Sequence, residues 1–441
     1  MDNTQPVGVP ILLIFIGTYL AISSEKVNRT ATAMTGMGLV GLVLWIAYAL
    51  DPGHSQGATF TTLVEGIGWQ TLLFVTGMMV IVTIAEQSGM FQYIALNLTR
   101  PTGANPKRLF IVFIVFVFCI SLLFDSSSTI LIVAPLTVEI CKALDVDFRP
   151  FLIGEAVTAN FASMPSLVGA VANVVIAGET SLDAGLLFLT LMPLAVILLV
   201  VSLFLMLRWF KFGGMEVDEY LVDAVAVVDP DQMIRSRTDF YAAIVGILIL
   251  VLGFMFGPSV DLEPSLIAVL VGFSLLLISR KRVKEILSSV SWETIFFLVG
   301  VFGLVQSLSI VGAIDDMGGA VQQLIGGNEA ATIAFLAWIP AVLSAIINKI
   351  PVSVVLAPIV ETLVQNVAFG SPLLPVVLVF AVNVGSYLLP IGAPGNIVAM
   401  GIAEQEGRPI SLRMFAKVAT VLAVIHLAIG TGWLFLLSLF I

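Results

Sequence analysis

Phe124-Asp125-Ser126-Ser127-Ser128-Thr129 interrupts the otherwise apolar stretch 109–143, and Asn348-Lys349-Ile350-Pro351-Val352-Ser353 interrupts another, 330–367. In the first, the interruption separates arms 109–123 and 129–143. Each arm spans about 22 Å as a helix, short of the roughly 30 Å hydrocarbon core of a bilayer. The spacing therefore predicts two re-entrant helical hairpins whose polar tips lie near mid-membrane.

The two tips are 223 residues apart, and so is much of what surrounds them. The same offset pairs Trp69 with Trp292, Gly77 with Gly300, Ala134-Pro135 with Ala357-Pro358, Asn160 with Asn383, Gly169-Ala170 with Gly392-Ala393, and Asn173 with Asn396. Rare Trp, Pro, Asn and Gly coincide in register, which chance apolar similarity does not produce, so the chain reads as a duplication. The predicted first repeat is 1–212, with spans at 8–24, 32–50, 70–86, 150–178 and 183–210 and a hairpin at 109–143. An acidic linker, 213–238, leads to the second repeat, 239–441, with spans at 239–257, 264–279, 292–311, 373–402 and 414–439 and a hairpin at 330–367. Spans 150–178 and 373–402 are broken helices, interrupted at Pro165 and Pro390. Five spans plus a hairpin is an odd number of crossings, so the second repeat runs inverted to the first. That arrangement is typical of secondary transporters with a midplane site.

Composition agrees with this reading. Of 441 residues, 59% are hydrophobic and 11% charged, with mean hydropathy +1.10, whereas soluble domains carry about 25% charged residues. A net charge of −10 excludes nucleic acid as a partner. The first apolar run, Val9 to Ile22, is followed rather than preceded by basic residues, so a retained span is expected, not a cleaved signal. With the N-terminus outside, 18 of the 19 Lys and Arg residues fall on the cytoplasmic face. Both termini are then expected outside, in a multi-pass protein of the cell membrane. The one exception is Lys349, at the second hairpin tip.

Candidate binding residues are the polar groups at membrane depth. The tips offer Asp125, Ser126, Ser127 and Thr129, and Asn348, Lys349, Pro351 and Ser353. The broken helices offer Asn160, Ser163 and Asn173, and Asn383, Ser386 and Asn396. A lone Ser or Thr in a span is more often bonded back to its own helix, and small residues around Gly169 and Gly392 are mainly packing devices. A charge at this depth costs at least about 2.5–3.5 kcal/mol, so Asp125 and Lys349 either pair or bind substrate. Glu155 reads equally as a proton carrier or an interfacial group, and His426 as a hydrogen-bonded packing residue. Cys119 and Cys141 read as buried hydrophobes. With two distant histidines and no metal spacing, neither an enzyme nor a metal site is expected, and no cofactor is. The chain has no Walker-type loop, so ATP drive would need a partner.

The string from Asp125 to Asn173 resembles the ion transporter superfamily, in the branch of arsenite permeases, D-type Na+/H+ antiporters and the melanosomal P protein. That branch is citrate-transporter-like and related to divalent anion–Na+ symporters. Gly392-Ala393-Pro394-Gly395-Asn396 and Gly401-Ile402-Ala403-Glu404 are similar to its second half. The resemblance implies a scaffold part and a moving part built from hairpins and broken helices. This chain departs from the family pattern in three places. Ser126 stands where the first tip carries Asn, and Lys349 stands where the second tip carries Asn. Gly169-Ala170-Val171-Ala172-Asn173 lacks the carboxylate of the family's Gly-Asp-Pro-Pro-Asn.

A fixed ammonium competes with a cation, so the departures favour a small inorganic or organic anion, or a metalloid oxyanion, moved by ion or proton coupling. A Na+/H+ antiporter using Asp125 and Glu155 is the alternative; H+ and Na+ are the candidate coupling ions, and a homodimer stays open. The orientation is testable by single cysteines in intact cells. One at Ser55 or Ser181 is expected to react with an impermeant thiol reagent from outside, and one at Ser236 only after permeabilisation. External labelling at 236 would overturn the inverted arrangement.

Overall fold

The computed structural model describes residues 7–440 except 24–26, 51–58, 104, 181, 211, 213–229, 261, 281, 326–327 and 366–370. Most of the expected acidic linker, together with Ser55 and Ser181, lies outside the described residues. Among the described residues there are twenty α-helices and no strand. The first ten are α1 (Gly8–Ser23), α2 (Arg29–Leu50), α3 (Phe60–Glu65), α4 (Trp69–Ser88), α5 (Met90–Thr99), α6 (Pro106–Ser121), α7 (Ser126–Ala143), α8 (Arg149–Ala162), α9 (Val171–Glu179) and α10 (Ala184–Phe210). The second ten follow the same order: α11 (Arg237–Phe256), α12 (Pro264–Ile278), α13 (Val283–Ser289), α14 (Trp292–Ile310), α15 (Ala313–Ile325), α16 (Glu329–Ile347), α17 (Lys349–Gln365), α18 (Leu373–Gly385), α19 (Pro394–Gln405) and α20 (Leu412–Leu437).

Eight of these helices are long and apolar enough to cross a membrane. Their outward faces carry what a soluble surface does not, with Trp45, Leu50, Leu189 and Phe204 all 63–81% exposed. Apolar surface on that scale faces lipid. The fold is therefore an all-α polytopic membrane protein.

The hairpin arms are longer than the sequence suggested. Asn105 accepts from the Lys107 and Arg108 amides and Pro106 opens the first turn, so α6 starts before the apolar run does. Asp125 accepts from the Ser127 and Ser128 amides, so α7 starts at Ser126, inside the polar tip. The caps thus make the tip residues helical, and α7 and α16 reach 18 and 19 residues and count among the eight membrane-length helices. The short helices α3, α5, α13 and α15 were not anticipated. Two of them are tied alike to the long helices that follow: Trp69 donates its indole N–H to the Val64 carbonyl at 3.3 Å, and Trp292 to the Leu287 carbonyl at 2.9 Å.

Packing between the halves is reciprocal. Helix α4 lies on α12, and α14 on α2; α7 lies on α19, and α17 on α9. Such an exchange is what a two-fold relation between similar units produces. Small residues allow the close crossings. A Cβ at Gly77 would stand 2.5 Å from the Ala268 carbonyl oxygen, one at Gly272 would stand 2.6 Å from the Gly77 carbonyl oxygen, and one at Gly300 would stand 2.7 Å from the Ala33 carbonyl carbon. Polar ties hold the ends. Arg282 donates to Asp239 at 3.2 Å, Gln87 at 2.7 Å and Glu285 at 3.0 Å, joining α11, α4 and α13. Lys142 and Glu406 pair between the ends of α7 and α19.

The helix crossings generate a stability prediction. Gly77→Val places its side chain in backbone that cannot yield, and an overpacking cost of about 1–3 kcal/mol or more is expected. Gly401→Ala meets nothing within 4 Å and is the control. Thermal unfolding in detergent should show a lowered midpoint for the first and an unchanged one for the second.

Candidate substrate site

Four helices stop, and four start, around one centre. Helix α8 ends at Ala162 and α18 at Gly385; after a passage of turns, which in the second half includes the 3-10 turn Pro390–Gly392, the chain resumes as α9 at Val171 and α19 at Pro394. The passages turn back on themselves tightly. A Cβ at Gly169 would lie 2.6 Å from the Ser163 carbonyl oxygen and 2.7 Å from that of Ser121, and one at Gly392 would lie 2.6 Å from that of Ser386. Only glycine permits that approach.

Broken helices leave carbonyls bare, and side chains from the duplicated sequence cover them. The Asn173 amide donates to the Ser163 and Ser166 carbonyls at 2.9 and 2.8 Å, and the Asn396 amide to the Ser386 carbonyl at 2.9 Å. The halves then cross-link. The Asn160 amide donates to Asn396 Oδ1 at 3.0 Å, and the Asn383 amide to Asn173 Oδ1 at 2.7 Å. Ser163 Oγ reaches the Asn160 carbonyl at 2.8 Å and Asn383 Oδ1 at 3.3 Å, while Ser386 Oγ reaches the Asn383 carbonyl at 2.7 Å and Asn160 Oδ1 at 3.0 Å. Each of these four bonds between the halves has its counterpart at an offset of 223. All six side chains are 0% exposed.

Lys349 enters this network on its approximate axis. It is 4% exposed, and its ammonium donates to Asn160 Oδ1 at 3.3 Å, Asn383 Oδ1 at 3.2 Å and Ser126 Oγ at 3.3 Å. Three donors meet three neutral oxygens, so hydrogen bonding is complete; Asp125 acts on the charge only from a distance, without a direct pair. The ion pairs among the described residues include none between Lys349 and Asp125. The direct pairing that sequence reasoning allowed is absent.

The remaining expected residues divide into tip-forming and peripheral ones. Asp125 is half-buried and spends one carboxylate oxygen on the amides that cap α7 and the other on the Ser128 hydroxyl. Ser127 lies against Gly395 of α19, where a Cβ would meet its Cα at 3.4 Å. Asn348 takes the left-handed φ of 89° that ends α16 and accepts from the Ile350 amide at 3.3 Å. Thr129 bonds Ser121 at 3.3 Å, Ser353 bonds the Lys349 carbonyl at 2.8 Å, and the Pro351 carbonyl accepts from Tyr19. None of these touches the ammonium except through the backbone. Glu155 lies on α8, five residues before Asn160, and is fully buried in the protein. His426 is also buried, held by Tyr387 at 2.6 Å and Ser202 at 3.2 Å. Sequence reading missed its partners, because nothing in the spacing of 202, 387 and 426 joins them.

Two cavities reach the tips. One, of about 280 Å³, is lined by Asp125, Ser128, Thr83, Glu86, Ser289 and Ser291 among others. The other, of about 320 Å³, is lined by Asn348, Pro351, Asn28, Arg29 and Glu293 among others. Ser291 and Glu293 are two residues apart at the start of α14, so both cavities lie at one end of the molecule. The first is acidic. The second carries the Arg29 guanidinium, 3.9 Å from the Glu293 carboxylate.

Residues 19–382 match the citrate transporter family. A protein of Mycobacterium tuberculosis strain H37Rv described as an uncharacterized transporter is 31% identical over 432 residues, covering 97% of this chain and 98% of its own length. A 46 kDa membrane protein of Mycobacterium leprae is 30% identical over 431 residues, again covering 97% and 98%. The human P protein is 25% identical, and 96% of this chain aligns with 59% of it. Its helices can cross a membrane and its sequence matches along nearly its whole length: the chain is a membrane transporter and belongs to the citrate transporter family.

Proposed function

We propose that this transporter moves a small anion or metalloid oxyanion by alternating access, and that the anion binds at Lys349. The observation that carries this is the buried ammonium bonded to three neutral oxygens with no carboxylate against it. A charge so placed lacks a counter-ion in contact, and an anion entering the tip region supplies one. The starts of α9 and α19 add their amide ends to the same centre, and helix N-termini favour negative charge. Ser126, Asn160, Ser163, Asn383 and Ser386 orient the charge, while Asn173 and Asn396 hold the breaks. Asp125, Ser127 and Thr129 shape one tip; Asn348, Pro351 and Ser353 shape the other. The family's description makes citrate the first anion to try.

Alternating access draws support from one asymmetry. The cavity beside Asp125 is open between Thr83 and Ser289 and between Met79 and Ser291. The positions equivalent at an offset of 223 are Gln306 with Gly66 and Phe302 with Gly68. There the Gln306 side chain sits where a Cβ on Gly66 would be, at 2.3 Å, and the Phe302 ring is 3.3 Å from one on Gly68. One end is open and its counterpart is shut. In this reading 1–212 and 239–441 are inverted repeats joined by 213–238, the basic loops and the open end are cytoplasmic, and both termini are outside.

A Na+/H+ antiporter remains the second reading, favoured by the acidic cavity with Asp125 and Glu86. Flux into proteoliposomes separates the two. Anion uptake that ignores Na+ at fixed pH supports the first; Na+ movement against protons, without an anion, supports the second.

Substitutions test the site itself. Lys349→Met is expected to fold and to weaken citrate binding about ten- to a hundredfold, from the roughly 1.5–3 kcal/mol of a hydrogen bond to a charged group. Asp125→Asn should also fold and transport poorly. The double variant should stay inactive, since the two charges do not pair; full transport by it would end the proposal for this site. The gate is tested by crosslinking. Cysteines at Gly66 and Gln306 should form a disulfide in the resting protein and block uptake, and reduction should restore it. Cysteines at Thr83 and Ser289 should crosslink only during turnover.

A further inference from the structure

We propose that Glu155 is a proton-binding site, separate from the Lys349 centre, and that its proton is the one coupled to transport. Glu155 sits on α8 against α7 and is 0% exposed. Its Oε1 accepts from the Thr137 hydroxyl at 2.6 Å. Its Oε2 has no partner, and neither does the hydroxyl of Thr158, three residues on along the same helix face. A bare carboxylate oxygen is costly in an apolar setting. A proton on Oε2 makes the buried carboxyl neutral and removes the cost of an ionised group there.

The surroundings offer no other way to neutralise the group. Cys141 faces it from α7, one turn beyond Thr137. Helices α6, α10, α18, α19 and α20 also pack on α8. Helix α18 has no ionisable side chain. On the others, Lys107, Arg108 and Cys119, Arg208, Glu404, and Arg413, Lys417 and His426 make no charge contact with Glu155; Thr137 is the polar group acting on it. A metal cation is a poor fit. Hard cations take about six oxygens or more, three side chains supply fewer, and the helical carbonyls here are already bonded.

The fold does not require a polar cluster at this place. The positions equivalent to Thr137, Glu155 and Thr158 in the second half are Val360, Leu378 and Ala381, all 0% exposed. At these three positions the duplicated seam packs through apolar side chains alone, and the first half carries a carboxyl that packing leaves unexplained. Its location connects it to the binding centre at both ends. Helix α7 carries Thr137 and, at its start, Ser126; α8 carries Glu155 and, five residues on, Asn160. Ser126 and Asn160 both hold the Lys349 ammonium. Loss of the proton leaves a bare carboxylate in the α7–α8 seam, which must then loosen or admit water, and the two ligands of Lys349 move with it.

The functional half of this proposal rests on the anion-transport reading, whereas proton binding can be measured without any substrate. The experiment is infrared titration of the full chain in lipid, with Glu155→Gln and Glu155→Leu, alongside citrate flux in proteoliposomes. Wild type should show a protonated-carboxyl band that shifts in deuterated water, is present at neutral pH and is lost on going alkaline; both variants should lack it. Both variants should keep citrate exchange across equal pH and lose accumulation driven by a pH gradient. Leu, the residue the second half uses, guards against misfolding of the Gln variant. Absence of the band in wild type, its persistence in the variants, or undiminished pH-driven accumulation by either would overturn the proposal. If citrate is not moved by any form, the infrared result still decides the proton site, and the failure falls on the anion reading.

Discussion

An unpaired peptide group inside hydrocarbon costs several kcal/mol, and this molecule interrupts two helices where that cost is highest. The structure depends on how the interruptions are satisfied. Asn173 and Asn396 each turn an amide onto the carbonyls of their own break and present their oxygen to the other half. Neither break is complete alone. Each half satisfies its own carbonyls and then relies on an asparagine from the opposite half to fix the asparagine of α8 or α18. Removing one half would leave buried amide groups unmet, so the centre forms only when both halves are folded together.

Duplication supplies the frame, and divergence supplies the chemistry. At equivalent positions the chain has Asp125 and Asn348, Ser126 and Lys349, Glu155 and Leu378. The conserved set, Asn, Ser and Gly, builds a neutral cradle with approximate two-fold symmetry. The divergent set places one positive charge on the axis and acidic groups to one side of it. Glu86 and Asp125 line one cavity, and Arg29 paired with Glu293 the other, so one approach to the centre is acidic and the other charge-balanced although the framework around them is shared.

Much of this was legible in the sequence because offset and rarity carry information that hydropathy lacks. Pairing Asn160 with Asn383 and Asn173 with Asn396 at one spacing located the centre before any coordinates, and the spans fell within a few residues of the helices. The polar tips misled about length, since Asp125 and Asn105 are caps, and a cap reads as an interruption in a hydropathy pattern although it begins a helix. The direct contact between Asn160 and Asn396 was not legible, because two-fold packing pairs residues 236 apart rather than 223. The partners of Glu155 and His426 were likewise hidden. Thr137, Ser202 and Tyr387 are ordinary residues of apolar helices, and only the crossing angles of the bundle bring them to the carboxyl and the imidazole.

An ammonium that is part of the chain differs in one respect from any ion that dissociates: it cannot be released. A soluble coupling cation delivers its gradient at each turnover, but Lys349 is present on the inward and the outward legs alike and contributes no driving force. It does feel the membrane voltage. If the tip crosses part of the field, each transition carries a fixed fraction of an elementary charge, against about 2.3 kcal/mol per 100 mV for a whole one. In the proposed cycle a monovalent anion at the ammonium cancels that movement on the loaded leg and leaves it on the empty return, whereas a multivalent one such as citrate reverses it. A negative-inside potential then acts on the unloaded carrier, drawing its positive tip toward the cytoplasm, so voltage sets how often the empty site presents itself at each face.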